Sequence, residues 1–307
     1  MGDMNKEFQV SRRAFLAMAS GGAVVAATRT AKAAAGAGSL AREVGITTSS
    51  IDSHIAAKNA DGRIAIMDLP RVMRDELGMR VIDLNSNTLA KAKAGGGIER
   101  FRREVAKAGC VVTNLKMNQH GLDMNSPDEA MRNKALSVYR KSIDDAALVG
   151  ARWARPLPLP SLPDMKIHVD SYRRLAAHAE KRGVRMLVEN YGWMQADADS
   201  LPDLIRRIDR NVAASPDTGN WNSDDLRFEG LRRSFPLAVT CDFKARGLGA
   251  NGEHEAYDLE RCFGIGWESG FRGPWCLEHV NRDRKALLGE LRLLRDMLQG
   301  WMKEAER

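Results

Sequence analysis

Four acidic residues stand at regular intervals in the second half of the sequence, each at the end of a short apolar run. They are Glu189, Asp217, Asp242 and Glu278, separated by 28, 25 and 36 residues. Four carboxylates brought together would repel one another and resist ionisation, so their convergence predicts a cation among them. Carboxylate oxygens suit Mg²⁺ and Mn²⁺, and a positioned carboxylate can exchange a proton with a substrate. The pattern therefore predicts a divalent cation, such as Mn²⁺ or Mg²⁺, among the four carboxylates.

A repeated strand and helix pattern explains how these distant residues would meet. After residue 40, short apolar runs alternate with longer amphipathic segments, which is typical of βα units around a parallel sheet. No linker divides these units, so we expect a single (β/α)8 TIM barrel over residues 40–307, in which all strands end at one shared mouth. The eight predicted strands are residues 44–48, 80–85, 110–117, 151–156, 184–191, 211–217, 237–244 and 274–279.

Two of the intervening helices carry clear end signals. Residues 126–129 read Ser-Pro-Asp-Glu, which predicts Ser126 as the N-cap of a helix running towards Leu148. Apolar residues at helical spacing over residues 169–181 are followed by Gly183, which predicts a C-terminal glycine cap. The next predicted strand follows at once.

Three segments resemble the xylose isomerase-like barrels of the sugar phosphate isomerase/epimerase superfamily, and the resemblance covers about residues 40 to 300. They are residues 187–192 (LVENYG), 216–221 (PDTGNW) and 270–278 (GFRGPWCLE). The resemblance implies one divalent metal held from strands five to eight, and two glutamates that exchange protons with the substrate. The implied metal ligands are Glu189, Asp217, Asp242 and Glu278, and the implied acid/base residues are Glu189 and Glu278.

The sequence departs from this family pattern at two positions. Family members usually carry histidine where Asp242 stands, two residues before Lys244, and many epimerases carry histidine where Asn220 stands. Aspartate can ligate the same ion, but its extra negative charge makes the metal a weaker Lewis acid. These departures support a second hypothesis, a catalytically reduced barrel that binds carbohydrate.

Three basic residues are candidates for the mouth. Lys244 follows Asp242 by two residues, so both side chains point to the same side of their strand. Lys244 is expected either to stabilise an enediolate oxygen as a catalytic group or to pair with one of the four carboxylates. Lys116 and Arg155, near the ends of strands three and four, are expected to hydrogen bond to a sugar.

Four further residues are candidate substrate contacts. Trp193 and Trp221 follow the acidic motifs of strands five and six, and either stack on a sugar ring or cover the barrel core. Asn220 belongs to the second of these motifs. His254 lies in a glycine-rich loop after strand seven and either binds substrate in place of the missing histidine or is a solvated loop residue.

The leading functional hypothesis is a metal-dependent sugar isomerase or epimerase that transfers a proton next to a carbonyl through an enediolate. A keto-glycoside lyase, working by β-elimination on the same site, is the closest alternative. In both hypotheses the partner is a small-molecule sugar or glycoside. A nuclease of the same barrel type has little support, because such sites are rich in histidine and hold several zinc ions.

The first 33 residues carry the signals of export. Residues 11–16 (SRRAFL) resemble a twin-arginine motif, they lead into an Ala/Gly-rich apolar run, and residues 31–33 (AKA) form a cleavage site. The apolar run is too short and too weakly apolar for a membrane span. We therefore expect a periplasmic or secreted protein that uses the twin-arginine pathway and keeps no membrane anchor once residues 1–33 are removed.

Charge and cysteine content narrow the class of protein further. Removing residues 1–33 lowers the net charge from +7 to +4, and no long basic run remains, so nucleic acid is not an expected partner. Cys110, Cys241 and Cys276 lie in apolar strand-like runs, which predicts buried free thiols rather than disulfides. A homo-oligomer is compatible with such a barrel.

Overall fold

Eight parallel strands form the central sheet of the structure, a computed structural model that describes residues 39–307 except 61, 120, 158, 159 and 250. The predicted export signal lies outside the described residues. The strands are β1 (Val44–Thr47), β2 (Val81–Asn85), β3 (Val111–Met117), β4 (Trp153–Pro156), β5 (Arg185–Val188), β6 (Val212–Ala214), β7 (Cys241–Lys244) and β8 (Trp275–Glu278).

The sheet closes on itself. Its strand order is β6-β5-β4-β3-β2-β1-β8-β7, and every pair is parallel. The two outer strands meet through isolated parallel bridges from Ala214 to Ala238 and from Asp217 to Asp242. The predicted (β/α)8 TIM barrel is thereby confirmed, and each predicted strand is present, although several are shorter than their apolar runs.

Helices cover the outside of the sheet, so most strand residues are buried on whichever face they lie. They are α1 (Leu69–Asp75), α2 (Ser86–Gly95), α3 (Ile98–Lys107), α4 (Glu129–Val149), α5 (Met165–Lys181), α6 (Ser200–Ile208), α7 (Asp224–Ser234), α8 (Leu259–Glu268) and α9 (Arg284–Glu304). Two short strands, Ile55–Ala56 and Ile64–Ala65, pair in a separate small sheet after β1. Across the described part of the chain, no helix combines the length and apolar character needed to cross a membrane.

The cap of α4 differs from the prediction. The Asp128 side chain accepts hydrogen bonds from the backbone N–H groups of Ala130 and Met131, so Asp128 is the N-cap and the Ser126 prediction was wrong. Ser126 instead accepts from Asp128 N in the preceding turn, at 3.2 Å. The end of α5 follows the prediction, because Gly183 adopts a left-handed φ of +70° just beyond the C-cap Arg182.

Aromatic side chains fill the layer between β8 and the helices around it. Trp275 is fully buried, and its ring centroid lies 4.8 Å from that of Phe271, 5.3 Å from Phe263 and 5.6 Å from Phe235. The predicted buried thiols are confirmed, since all four cysteines are free and buried. Burial raises the pKa of the Cys110 thiol to about 11, which leaves it unreactive near neutral pH.

A helical glycine makes room for one of the predicted substrate contacts. The Trp221 ring lies directly over Gly230 in α7, where an added Cβ would approach the ring to 2.0 Å. Gly264 in α8 has open space at the same atom. Both glycines lie inside helices, where alanine is ordinarily the better residue.

We expect Gly230→Ala to lower the free energy of unfolding by about 1–3 kcal/mol, because the added methyl displaces Trp221. Gly264→Ala, the matched control, should raise the free energy of unfolding by about 0.5–1 kcal/mol. Urea unfolding of the two variants measures both values. Equal effects of the two substitutions would show that Trp221 is not held against α7.

Candidate active site

An ion pair crosses the interior of the barrel near its mouth, the end where all strands finish. Lys116 Nζ on β3 lies 2.6 Å from Asp242 Oδ1 on β7, on the opposite side of the barrel. The two side chains are almost completely buried, with 2% and 0% of their surface exposed. Asn114 precedes Lys116 by two residues, so it points the same way and lies beneath it.

A second lysine joins two of the predicted carboxylates. Lys244 Nζ lies 3.0 Å from Asp217 Oδ2 and 2.7 Å from Glu278 Oε1. Lys116 Nζ approaches the other oxygen of Glu278 at 3.6 Å. The side chains of Glu278 and Lys244 are 19% and 16% exposed, so a ligand that enters the mouth meets these two groups first.

The fifth strand contributes a glutamate that is also held by a cation. Glu189 Oε2 forms an ion pair with Arg155 Nε at 2.7 Å, without the alignment of a hydrogen bond. Its other oxygen accepts a hydrogen bond from Asn220 Nδ2 at 3.2 Å, while Asn220 Oδ1 accepts one from Lys244 Nζ at 3.1 Å. Asn220 therefore connects Glu189 to Lys244, which itself pairs with Glu278.

The loop after β6 is shaped by hydrogen bonds to Asp217 and Asn190. Asp217 Oδ1 accepts from the backbone N–H groups of Gly219 and Asn220, at 2.7 and 3.1 Å. Asn190 accepts from Asp217 N and donates to the carbonyls of Asp217 and Asn220. The Asn190 side chain therefore takes the place of a backbone acceptor for Asp217 N beyond the end of β5.

The charges of the mouth set the ionisation of its groups. Burial by itself would lower the pKa of Lys116, but Asp242, Asp83 and the neighbouring glutamates outweigh it and raise that pKa well above its ordinary value. Burial would likewise raise the pKa of Glu278, but Lys116 and Lys244 outweigh it and lower the pKa to about 2. Lys116 is therefore protonated and Glu278 is ionised near neutral pH.

The sequence analysis missed two buried residues, Asp83 and Asn114, which form the floor below the ion pair of Lys116 and Asp242. Asp83 on β2 is fully buried and accepts hydrogen bonds from Asn114 Nδ2 at 3.2 Å to each carboxylate oxygen. A signal was present, because Asp83 stands inside the apolar run of β2 as the predicted carboxylates stand in theirs. The strand-end pattern does not include Asp83, because this residue stands third of the five residues of β2 rather than at the end of the strand.

The two predicted tryptophans lie in different surroundings. Trp221 is buried and donates a hydrogen bond to the Asp217 carbonyl at 3.1 Å, so it braces the loop that carries Asp217. Trp193 is partly buried, packs against the core and lies edge-on to His168, with 6.2 Å between ring centroids. Contact of either ring with a substrate stays a prediction.

His254 is bound within its own loop. Its Nε2 accepts a hydrogen bond from Arg246 N at 2.7 Å, and its Nδ1 lies 2.7 Å from the Tyr257 carbonyl. Both ring nitrogens therefore stabilise the loop after β7. The predicted contact of His254 with substrate stays a prediction.

Three of the four predicted ligands are close enough to hold one metal ion. Glu189, Asp217 and Asp242 each offer a carboxylate oxygen, and these oxygens all lie within 4.8 Å of one another. Asp242 Oδ2 is buried and has no hydrogen-bond partner among the described residues. An orphaned carboxylate oxygen in an all-oxygen donor set fits Mg²⁺ or Mn²⁺. Glu278 lies outside this group, because its oxygens face the two lysines.

Comparison of the structure with solved structures finds the same fold in several sugar-processing proteins. An L-ribulose 3-epimerase matches with a TM-score of 0.71 at 15% sequence identity, over 86% of this chain and 95% of that chain. A 3-keto-D-glucoside 4-epimerase from E. coli matches with a TM-score of 0.62 at 18% identity, over 79% of this chain and 98% of that chain. At such identities the likeness establishes the fold alone.

A third solved structure has magnesium bound. It is a xylose isomerase-like TIM barrel protein from Mycobacterium smegmatis in complex with magnesium, with a TM-score of 0.60 at 19% identity, over 86% of this chain and 97% of that chain. No curated protein matches the sequence. The sequence profile described as "Xylose isomerase-like TIM barrel" matches residues 75–305. Because this match spans most of the chain, the protein belongs to the xylose isomerase-like TIM barrel family.

Proposed function

We propose that the protein is a sugar isomerase or epimerase that moves a proton next to a carbonyl group through an enediolate. The observation that carries this proposal is the meeting of Glu189 and Glu278 at one barrel mouth with Lys244, which is more exposed than the other two cations there, Lys116 and Arg155. Positioned carboxylates exchange protons with substrates, and nearby cations stabilise the oxygen that becomes negative when a carbon loses its proton.

Glu278 is the group best placed to remove the proton. It is ionised near neutral pH and can therefore accept a proton, although its lowered pKa makes it a weak base, and it is more exposed than the fully buried Asp217 and Asp242. Lys244, 2.7 Å from Glu278, holds the carboxylate and offers a charged hydrogen-bond donor to an adjacent substrate oxygen. These contacts support the roles proposed for both residues.

Glu189 is the second proton-exchanging group of the proposal. Arg155 and Asn220 hold one of its oxygens each, which fixes the direction of the carboxylate. Because Asn220 also bonds Lys244, which pairs with Glu278, three contacts connect the two carboxylates. This linkage suits a reaction in which one group gives up a proton as the other takes one.

A divalent cation belongs to the proposal as well. Glu189, Asp217 and Asp242 would hold Mg²⁺ or Mn²⁺, and the ion, when bound, would supply Lewis-acid stabilisation of a substrate oxygen. Glu278, the fourth predicted ligand, is held by the two lysines.

Free sugars or glycosides are the proposed substrates. The epimerase neighbours act on sugars by their names, and export through the twin-arginine pathway would place the enzyme where phosphorylated sugars are scarce. Elimination from a keto-glycoside begins with the same proton removal and differs only in the loss of a leaving group afterwards. The product of the reaction therefore distinguishes the two activities.

Deuterium exchange tests the proposed chemistry. We expect the metal-loaded protein, incubated in heavy water with free sugars and 3-keto-glycosides, to incorporate deuterium at one carbon of one substrate. Glu278→Gln should reduce the rate at least about 100-fold, because it removes the base. NMR of the products gives the position of the label and shows whether a leaving group is lost.

Glu268→Gln, on the exposed face of α8, is the matched control for that experiment and should leave the rate unchanged. No exchange across the whole panel would contradict the enzyme proposal and favour a carbohydrate-binding barrel. Exchange that survives in Glu278→Gln would contradict the role given to Glu278.

The lowered pKa of Glu278 predicts a pH-dependent contribution to stability. Its pKa is 4.5 ordinarily and about 2 in the folded protein, so the unfolded chain binds the proton first as the pH falls. The stabilisation by ionised Glu278 is therefore complete above about pH 4.5 and is lost towards pH 2.

We expect Glu278→Gln to lower the free energy of unfolding by about 2 kcal/mol near neutral pH, because it leaves the two lysines without this partner. The difference from the wild type should shrink as the pH falls from 4.5 towards 2. Urea unfolding over this range, with Glu268→Gln as control, measures it. A difference that does not change with pH would contradict the assignment.

The export proposal has its own test. Replacing both arginines of the motif, Arg12→Lys with Arg13→Lys, should leave the protein in the cytoplasm, whereas the wild type reaches the periplasm and begins at Ala34. Arg29→Lys, beyond the apolar run, is the control and should be exported normally. Fractionation followed by mass spectrometry of the N-terminus reads both results, and equal export of the double variant would contradict the twin-arginine pathway.

A further inference from the structure

Lys116 differs from the other lysine of the mouth in its access to solvent. Lys116 exposes 2% of its side chain, against 16% for Lys244, so a substrate at the mouth reaches Lys244 but not Lys116. All its charged partners are carboxylates of the barrel, with Asp242 at 2.6 Å and Glu278 at 3.6 Å. Its ammonium group therefore acts on the protein's own carboxylates.

The position of the ammonium group bears directly on metal binding. Lys116 occupies one oxygen of Asp242, and the orphaned oxygen of the same carboxylate belongs to the residue that would share a metal ion with Glu189 and Asp217. An ion bound to Oδ2 of Asp242 would lie close to the positive charge that Lys116 holds at Oδ1 of the same carboxylate. Like charges at such a separation repel strongly where water is excluded.

Every carboxylate named at the mouth has a partner that this chain supplies. Five carboxylates converge on the mouth and its floor, from Asp83, Glu189, Asp217, Asp242 and Glu278, and each has a cation or an amide donor in contact. Buried carboxylates without such partners would be strongly destabilising. The carboxylates are thus held in place by side chains of this chain.

We propose that Lys116 is a tethered counter-ion for Asp242, which holds the mouth together in the absence of a divalent ion and lowers the affinity of its carboxylates for one. Lys116 is then a positioning residue and not a catalytic one. The inference rests on the metal site of the proposed function. Its readout is ion binding and folding, so it can succeed or fail whatever the protein does to a sugar.

Removing the ammonium group provides the test. We expect Lys116→Met, stripped of metal and titrated with Mn²⁺ by calorimetry, to bind the ion at least tenfold more tightly than the wild type. Without metal its thermal midpoint should fall, and Mn²⁺ should restore it. The control is Lys93→Met, which removes a lysine from an aspartate at the same 2.6 Å distance on the barrel exterior and should leave Mn²⁺ affinity unchanged.

A double variant separates charge from packing. Lys116→Met with Asp242→Asn removes both charges, and should be more stable without metal than Lys116→Met alone while losing the gain in Mn²⁺ affinity. Equal destabilisation of the single and double variants would show that Lys116 acts by packing and would overturn the proposal. So would a folded Lys116→Met protein that binds Mn²⁺ no more tightly than the wild type.

If Lys116→Met does not fold without metal, refolding in Mn²⁺ gives the same answer. Recovery of folded protein only in the presence of Mn²⁺ supports the proposal, and failure both with and without the ion overturns it. An absence of sugar turnover in every variant would contradict the proposed function while leaving these binding results intact.

Discussion

The charge balance inside the barrel mouth is the constraint on which the rest of the structure depends. Carboxylates from several strands are buried side by side, and such an arrangement is stable only when each negative charge has a partner. Lys116 and Lys244 supply those partners to Asp242, Asp217 and Glu278, and Arg155 supplies one to Glu189. The strands must therefore be in register for the charges to be compensated at all.

The positions of the strands in the barrel separate the charged pairs into a buried one and a more exposed one. Lys116 and Asp242 come from opposite strands and form a buried pair, whereas Lys244 and Glu278 come from neighbouring strands and form a more exposed pair. The same two kinds of residue, lysine and carboxylate, therefore serve both in the interior of the barrel and at its accessible end.

Much of this was predictable because it depends on local order in the sequence. Strand alternation and the one-unit spacing of acidic residues predicted the barrel and the convergence of Glu189, Asp217, Asp242 and Glu278. The pairing of Lys116 with Asp242 was not predictable, because it joins residues 126 positions apart through the depth of a closed sheet. The spacing of residues along the chain predicts the end of the strand at which a residue lies. It does not predict which charged side chain that residue contacts across the interior of the barrel.

The barrel closes at a seam between β6 and β7, where the charged residues of the two strands meet. These strands are joined by isolated bridges, one of them between Asp217 and Asp242, and Lys244 reaches across to Asp217. Closing the barrel therefore brings Asp242 and Lys244 to Asp217. In a partly folded chain with an open seam these contacts would be missing, so the group of three carboxylates, Glu189, Asp217 and Asp242, forms only when the barrel is complete.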